Sequence, residues 1–395
     1  MPNGPVGELI PPRRVLLGPG PSDVNPRVLR AMATPVLGYL DPDFIELMDG
    51  VANMLRDIFG TENGFTLPVS GTGSAGMEAG LANLLEPGDV AVIGENGFFG
   101  ARLVEIAKRQ GATVDVVSAD WGKPIDPNEI ENALKRNEKV KLVAVVHAET
   151  STGVLQPLEE IAAITKQYNA LLLVDAVTSL GGTPVNMDKI GIDFCYSGTQ
   201  KCLGAPPGLS PVAISEKALE VIENRTTTPR TWYLDLGLLR KYWAGGTRVY
   251  HHTPPMSMIY ALREALRVVL EDGLENRYAR HEKNALALRA GLRNMGLNLL
   301  VPDEYCLYQL TTIEIPEGIN DQTLRTSLRE DYGIEIGGGL GQFAGKAWRI
   351  GLMGESSTQS NVLMVLSSLE KLLTNSGFEV GSGSGVKAAT EIFNT

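Results

Sequence analysis

The stretch ALLLVDAV, residues 170–177, is a run of apolar side chains interrupted only by one carboxylate, Asp175. Continuous apolar runs of this length are typical of strands buried on both faces of a parallel sheet. A similar run, VKLVAVVH, occupies residues 140–147, and the segment between the two, PLEEIAAITKQYN at 157–169, has a helical pattern. Buried strands that alternate with helices predict an α/β fold with a mostly parallel sheet covered by helices.

The same alternation extends in both directions from this stretch. The sequence predicts further strands at 65–69, 89–94, 112–118, 192–198 and 210–215, and helices at 74–85, up to 110 and at 126–137. From about residue 256 the pattern changes to a long helical region, which is followed by strands at 307–315 and 346–353 and by helices at 321–331 and 357–373. This second pattern predicts a smaller α+β domain.

These patterns divide the chain into four parts. Residues 1–30 are predicted to form an N-terminal arm, 31–270 a large cofactor-binding domain and 271–375 a small C-terminal domain. The run GSGSG at 381–385 resembles a flexible linker, so residues 376–395 are predicted to be a disordered tail.

Composition excludes several classes of protein. The net charge of −11 and the absence of a Lys/Arg cluster argue against a nucleic-acid binder. The N-terminus lacks the apolar segment of a signal peptide, and no apolar run is long enough to cross a membrane. Three cysteines without a CxxC pair indicate a reducing compartment. We therefore expect a cytoplasmic protein that binds neither nucleic acid nor membrane.

A glycine-rich turn, SGTGSAG at 70–76, follows the first predicted strand. Its glycines match the spacing of a dinucleotide-binding fingerprint, and Glu95 at the end of the next strand fits the acidic position of that motif. The same turn also fits a phosphate-binding cup, because hydroxyl side chains and the N-terminus of the following helix offer hydrogen-bond donors. A tight turn that simply needs glycine is the third interpretation. The turn alone does not distinguish among them.

Two charged residues follow neighbouring strands and would face the same crevice. Asp175 ends a buried strand, where a carboxylate is costly unless a cation meets it. Lys201 follows the next strand, within YSGTQKCLGAPPG at 196–208. A buried lysine has a lowered pKa and is suited to Schiff-base chemistry, and an aspartate beside a pyridine nitrogen keeps that nitrogen protonated. A phosphate cup, an aspartate and a lysine in this order suit pyridoxal phosphate, whereas a nicotinamide cofactor needs neither charged residue.

At this point the sequence resembles a class V, fold-type I aminotransferase, specifically the alanine–glyoxylate and serine–glyoxylate (serine–pyruvate) group. The resemblance covers residues 16 to about 373. Its matching stretches are LLGPGPSDVNPRVL (16–29), SGTGSAGMEAGLANLLEPGD (70–89), HAETSTGVLQPL (147–158), LLLVDAVTSLGGTPV (171–185), YSGTQKCLGAPPG (196–208), YHHTPP (250–255), GLEN (273–276) and GGLGQFAGKAWRIGLMG (338–354).

The resemblance implies a role for each matching residue. Lys201 corresponds to the lysine that holds the cofactor aldehyde, Asp175 to the partner of the pyridine nitrogen and Arg349 to the residue that binds the substrate α-carboxylate. The implied contacts to the cofactor are Thr72, Gly73, Ser74 and Gln200 at the phosphate, Thr150 near the pyridine 3-oxygen, Phe99 on the ring, and Tyr250 and Thr253 from the neighbouring subunit. Two positions depart from the family pattern: Phe99 stands where a Trp is common, and Ser74 where relatives can carry His.

The implied activity moves an amino group from alanine or serine to glyoxylate by a ping-pong mechanism in a homodimer, so the partners are small amino acids and 2-oxo acids. A cysteine desulfurase, with Cys306 as its reactive cysteine, is one alternative. A nicotinamide-dependent dehydrogenase and a non-enzymatic subunit of a complex are two others. His147, His251 and His252 are expected to form structural hydrogen bonds, and no metal site is predicted.

Overall fold

The computed structural model describes residues 7–395, so the first six residues of the predicted arm lie outside it. Within the described residues the largest sheet has seven strands. The strands of the described chain are β1 (Val15–Leu16), β2 (Phe65–Ser70), β3 (Val90–Glu95), β4 (Thr113–Ser118), β5 (Val140–Val146), β6 (Ala148–Glu149), β7 (Val154–Leu155), β8 (Leu171–Asp175), β9 (Phe194–Tyr196), β10 (Leu209–Ile214), β11 (Leu310–Glu314), β12 (Ile334–Glu335), β13 (Gly337–Gly338) and β14 (Ala347–Gly351).

The large sheet has the strand order β2-β10-β9-β8-β5-β3-β4. Every neighbouring pair from β9 to β4 is parallel, and β10 runs antiparallel to both of its neighbours. This confirms the predicted mostly parallel sheet. Because β8 and β9 are adjacent and parallel, the segments that follow them leave the sheet at the same edge, which brings the loops carrying Asp175 and Lys201 together.

Helices cover the sheet and form most of the remaining structure. They are α1 (Pro26–Met32), α2 (Pro42–Phe59), α3 (Gly73–Leu84), α4 (Phe98–Arg109), α5 (Pro127–Arg136), α6 (Glu159–Gln167), α7 (Met187–Ile190), α8 (Glu216–Glu223), α9 (Leu236–Trp243), α10 (Met256–Asp272), α11 (Leu274–Asn294), α12 (Asp321–Tyr332), α13 (Gln359–Asn375) and α14 (Ser384–Phe393). Helix α5 begins as its sequence predicts, with Asp126 capping the N-terminus and Pro127 in the first position. None of these helices is both long and apolar enough to cross a bilayer.

The C-terminal part contains a second hydrophobic cluster around the antiparallel strands β11, β14 and β13. The predicted disordered tail is wrong, because residues 384–393 form α14. Ala389 of this helix is fully buried, and Phe393 packs against the same cluster. One of the linker-like glycines is needed for close packing: the backbone of Gly385 lies against Gly291 of α11, where a side chain on Gly291 would collide.

The N-terminal segment is an integral part of the fold and differs from a free arm. Strand β1 pairs in parallel with β12, and Leu17 is buried in the C-terminal cluster. A few residues later, Ser22 donates hydrogen bonds from its backbone N to the carbonyl of Gln200 (2.9 Å) and from its hydroxyl to the carbonyl of Lys201 (2.8 Å). The segment therefore connects the C-terminal cluster to the loop between β9 and β10 that carries Lys201 (197–208), called the lysine loop below.

Candidate active site

Lys201 is buried at the crossing of the lysine loop and the N-terminal segment, with 8% of the residue exposed. Its Nζ donates a hydrogen bond to the carbonyl of Pro19. The next residue, Gly20, has a φ of +111°, and a Cβ there would lie 2.7 Å from Nζ of Lys201, so only glycine fits this close approach. Burial lowers the pKa of Lys201 to about 8. The amine is thus far more nucleophilic at neutral pH than that of an exposed lysine.

Asp175 ends β8 and is buried beside Tyr196, the last residue of β9. The Tyr196 hydroxyl donates to Oδ2 (2.6 Å), and the backbone N of Val177 donates to Oδ1 (2.9 Å). Burial raises the pKa of Asp175 to about 6, although both hydrogen bonds and the charge of Lys201 act in the opposite direction. A cation that met this carboxylate would therefore be strongly favoured.

The glycine-rich turn lies beside the same two loops. Gly73 is the first residue of α3, and a Cβ on it would lie 2.9 Å from a methyl group of Val177, which follows Asp175. Thr72 precedes the helix with extended backbone, and its side chain does not cap the helix. Its hydroxyl and the first N–H groups of α3 are therefore free to bind an anion.

Arg349 approaches from the C-terminal strands. It lies in the middle of β14 and is buried; its Nε donates to the carbonyl of Gly338 (2.8 Å) and its Nη1 to the carbonyl of Thr150 (2.9 Å). Burial lowers its pKa to about 10, so the guanidinium stays charged at neutral pH. Thr150 lies in the segment after β5, whose last residue, Val146, pairs with Asp175, so this contact brings Arg349 to the sheet edge that carries Asp175 and Lys201. Thr150 is thus placed next to Arg349.

Phe99 lies in the first turn of α4, and its backbone is fixed by a residue that sequence reasoning missed. The fully buried Glu149 accepts hydrogen bonds from the backbone N of Phe99 (3.1 Å) and of Gly100 (3.3 Å), and from the hydroxyl of Ser151 (2.6 Å). A carboxylate at a helix N-terminus satisfies donors that have no partner within the helix. The stretch HAETSTG contained the signal, because an acidic residue directly after a buried strand needs such partners.

Tyr250 and Thr253 form no hydrogen bond with the other candidate residues within the described chain. Their hydroxyls lie 3.3 Å apart on the surface, and 49% of Tyr250 is exposed. Tyr250 packs on the ring of Tyr39 at a centroid distance of 4.7 Å. His251 and His252 lie between Tyr250 and Thr253 in the sequence and are buried, and the Nδ1 atoms of the two histidines are 2.8 Å apart.

The remaining candidates have structural partners. His147 lies 2.9 Å from the hydroxyl of Ser179, and His252 lies 2.7 Å from that of Ser70. Cys306 is buried, and burial raises the pKa of its thiol, so it does not belong to an exposed reactive loop. Within the described residues no three His, Cys, Asp or Glu side chains are grouped to hold a metal ion.

Pyridoxal phosphate fits this set of residues. The cup at Thr72–Gly73 offers N–H and hydroxyl donors for a phosphate, Asp175 offers a carboxylate for a protonated ring nitrogen, and Lys201 offers an amine of lowered pKa. The side-chain Oε1 of Gln200 is buried without a hydrogen-bond partner in the described chain. A half-turn of the carboxamide exchanges this oxygen for the NH2 group, which would donate to a phosphate.

Comparison with known proteins agrees with this geometry. The sequence profile of the family "Aminotransferase class-V" matches residues 23–348. The chain is 41% identical over 98% of its length to the (S)-ureidoglycine–glyoxylate transaminase of Bacillus subtilis, of which it covers 97%. It is 42% identical over 92% of its length to the alanine–glyoxylate aminotransferase of Rattus norvegicus, of which it covers 88%. A solved structure of an alanine–glyoxylate aminotransferase from Nostoc sp. is 48% identical, with a TM-score of 0.91 over 93% of this chain and 97% of that one.

The alternatives from the sequence have weaker support. A cysteine desulfurase from Thermococcus onnurineus superposes over 92% of this chain and 95% of its own with a TM-score of 0.73, but at 18% identity this likeness shows only the shared fold. The family match also decides between the interpretations of the glycine-rich turn, since aminotransferases of this class use pyridoxal phosphate and not a dinucleotide. We conclude that the chain belongs to the class V aminotransferases and is a pyridoxal-phosphate-dependent enzyme.

Proposed function

We propose that this enzyme transfers the amino group of a small amino acid, alanine or serine, to glyoxylate by a ping-pong mechanism. The observation that carries the proposal is that Asp175 and Lys201 lie at the ends of adjacent strands and that Arg349 contacts the loop at the same sheet edge, in a chain whose close relatives are named for glyoxylate. The relatives' names differ in the amino donor, so (S)-ureidoglycine is a second candidate donor.

Lys201 performs the proton transfers in this proposal. When bound, pyridoxal phosphate supplies a protonated ring that delocalises the electron pair released at the substrate Cα. Lys201, with a pKa of about 8, would accept the Cα proton as an amine and, as the resulting ammonium, would donate it to C4′ of the bound cofactor. The carbonyl of Pro19 accepts a hydrogen bond from Nζ and so holds the amine within the site between these steps.

Asp175 and the phosphate cup keep the cofactor in place. The carboxylate of Asp175 would keep the ring nitrogen protonated, and Tyr196 holds this carboxylate in its orientation through the 2.6 Å hydrogen bond. Thr72, Gly73 and Ser74 would bind the phosphate at the N-terminus of α3, and Gln200 would add a carboxamide donor. Phe99 would cover one face of the ring.

Arg349 binds the α-carboxylate of each substrate, because its planar fork matches both oxygens. A neighbouring cation, Arg325, is already paired with both carboxylate oxygens of Asp321 (2.7 and 2.8 Å). It is therefore not available for the distal carboxylate of a glutamate or 2-oxoglutarate. This pairing favours substrates with small uncharged side chains.

A homodimer completes the site in this proposal. Tyr250 and Thr253 have exposed hydroxyls, Tyr39 packs on the Tyr250 ring, and Trp232, which stacks on the neighbouring His251, is an exposed apolar side chain, as are Val36 and Leu40. A second copy that covered this surface would receive both hydroxyls at its phosphate cup. The free cysteines Cys195, Cys202 and Cys306 support a reducing compartment, so we place the enzyme in the cytoplasm.

The test is a comparison of kcat/KM values. Alanine, serine, (S)-ureidoglycine and glutamate are offered as donors with glyoxylate, and glyoxylate, pyruvate and 2-oxoglutarate as acceptors with one donor. We expect glyoxylate to be the best acceptor and glutamate the poorest donor. A preference for glutamate and 2-oxoglutarate would overturn the small-substrate proposal, and a preference for (S)-ureidoglycine would replace alanine and serine as donors.

A further inference from the structure

Arg102 contacts two residues of the proposed cofactor site and was not identified from the sequence. It lies on α4, one turn after Phe99. Its Nη1 donates a hydrogen bond of 3.0 Å to the hydroxyl of Ser74, the second residue of α3. Its guanidinium carbon lies 5.0 Å from the ring centre of Phe99 and 5.2 Å from that of Phe98. One cation thus touches both the phosphate cup and the proposed ring-stacking residue.

The two phenylalanines hold the guanidinium in place. Their rings meet edge to face, with centroids 5.7 Å apart and planes at 81°. A guanidinium over aromatic faces is attracted by their quadrupoles. Arg102 forms no ion pair with any carboxylate of residues 7–395, whereas Arg109, near the end of the same helix, pairs with Glu105. The charge of Arg102 is therefore fixed in position without being neutralised within the chain.

The direction of the hydrogen bond determines what Ser74 can do. Because the Ser74 oxygen accepts from Arg102, its own hydrogen remains free to donate to another group. A hydroxyl polarised by a cation is a stronger donor. An anion at the N-terminus of α3 would thus meet this hydroxyl, the backbone N–H groups and a nearby positive charge.

We infer that Arg102 is a positioning residue for the cofactor phosphate, to which it supplies positive charge through the hydroxyl of Ser74. This inference rests on the proposed cofactor site. It also gives a role to Ser74, which stands where relatives can carry a histidine: serine and arginine together provide a polar donor backed by a cation. The charge of Arg102 also reaches Asp175, whose pKa it lowers, so it lies within electrostatic range of the site.

The experiment measures the dissociation constants of pyridoxal phosphate and of pyridoxal, which lacks the phosphate, for the cofactor-free protein. The proteins are wild type, Arg102→Gln, Arg102→Lys and the control Arg109→Gln. For Arg102→Gln we expect the dissociation constant of pyridoxal phosphate to rise about tenfold, or about 1.4 kcal/mol. The dissociation constant of pyridoxal for the same variant should change by less than about twofold. For Arg102→Lys we expect a dissociation constant of pyridoxal phosphate between those of wild type and Arg102→Gln. The control Arg109→Gln should bind both ligands as wild type does.

Action through Ser74 is tested by a double-mutant cycle with Ser74→Ala. If the two residues act as a unit, the double variant binds pyridoxal phosphate about as weakly as the Arg102→Gln variant. Equal weakening of pyridoxal phosphate and pyridoxal would overturn the inference in favour of a role in holding Phe99. Unchanged dissociation constants of Arg102→Gln for both ligands would also overturn it, even if the variant altered kcat/KM for glutamate. Failure of the proposed site itself gives a different result, because wild type would then not prefer pyridoxal phosphate to pyridoxal.

Discussion

The hydroxyl of Tyr196 lies 2.6 Å from Oδ2 of Asp175 and donates a hydrogen bond to it. The two residues are direct partners in the parallel pair of β8 and β9, where each is the last residue of its strand. This contact holds one carboxylate oxygen, and the backbone N of Val177 holds the other. The carboxylate is therefore fixed in a buried site, where a protonated ring nitrogen would be its natural counter-ion.

Replacing Asp175 with Asn tests this relationship. The shape is kept and the charge is lost; an ion pair at about 4 Å is worth roughly 4 kcal/mol at an effective dielectric constant near 20. We expect kcat to fall by several orders of magnitude while bound cofactor remains detectable by absorbance. The control is Asp193→Asn, which should retain turnover. The Asp193 carboxylate lies on the far side of the same sheet and accepts a hydrogen bond from the backbone N of Leu172. A loss of less than about tenfold in Asp175→Asn would reduce Asp175 to a structural role.

The lowered pKa of Lys201 predicts how fast the cofactor-free protein captures pyridoxal phosphate. Only the neutral amine attacks the aldehyde, and its fraction rises with pH through the pKa. The rate should therefore rise with a midpoint near pH 8, the pKa of this buried group, and not near the value of about 10.4 for a free lysine. Stopped-flow absorbance between pH 6 and 10 measures this rate.

Two controls accompany the pH series. Nα-acetyl-lysine under the same conditions accounts for the ionisation of the cofactor itself. The Lys201→Ala variant should fold, lose the yellow absorbance of the covalently held cofactor and have essentially no turnover. A rate that stays flat up to pH 9 would mean that the amine is not desolvated, and near-normal turnover in Lys201→Ala would remove the residue from the mechanism.

The sequence predicted the large sheet well because its strands are continuous apolar runs, but it missed α2. That helix buries Phe44, Met48 and Leu55 at helical spacing, and Asp41 caps its N-terminus, so the signal was present. The tail was mispredicted for a different reason. A glycine–serine run has the composition of a linker, and only the close packing of Gly385 on α11 shows that small residues were needed there.

The sequence could suggest candidate residues of the site whose chemistry and position after a strand stand out. It could not suggest contacts between residues that are distant in the sequence. Lys201 and Asp175 follow adjacent strands, and strand ends in parallel sheets meet at one edge. Pro19 reaches Lys201 from 182 positions away in the chain, through the path of the N-terminal segment, which no local pattern encodes. Arg102 and Ser74 are likewise joined by the packing of α3 and α4, and only the three-dimensional structure shows that contact.

Buried histidines predict a loss of stability in acid. Gly354 donates its backbone N–H to Nε2 of His281 (3.0 Å), and burial lowers the pKa of His281 to about 3 and that of His147 to about 4. In the unfolded chain a histidine binds a proton near pH 6.5, so between that value and the folded pKa the unfolded state holds more protons. The free energy of unfolding should therefore fall as pH drops below about 6.5. Each buried histidine should contribute about 1.4 kcal/mol to this fall for every pH unit.

Urea denaturation of the cofactor-saturated enzyme at pH 7 and pH 5 measures this effect. Saturation with cofactor matters here, because in the cofactor-free protein Asp175 acts in the opposite direction between about pH 4 and 6, where its raised pKa lets the folded state keep a proton. Comparison of wild type with His281→Gln isolates one histidine, since glutamine retains a donor and an acceptor but does not titrate. The stability difference between the two should shift by about 2 kcal/mol between the two pH values. A constant difference would show that His281 binds a proton as readily in the folded protein as in the unfolded chain.

The proposed sharing of sites between subunits predicts complementation. Tyr250 and Thr253 present their hydroxyls on the exposed surface, 3.3 Å from each other and without a hydrogen bond to the other candidate residues of the described chain. If they serve the partner's phosphate, a dimer of a Lys201→Ala chain and a Tyr250→Phe/Thr253→Ala chain has one site with both defects and one with neither. With random exchange about half of the dimers are mixed, so about a quarter of all sites should be intact. Activity near this fraction of wild type, well above both parents, is the expected result. If exchange is demonstrated by tagged chains and activity does not recover, then each chain uses its own Tyr250 and Thr253.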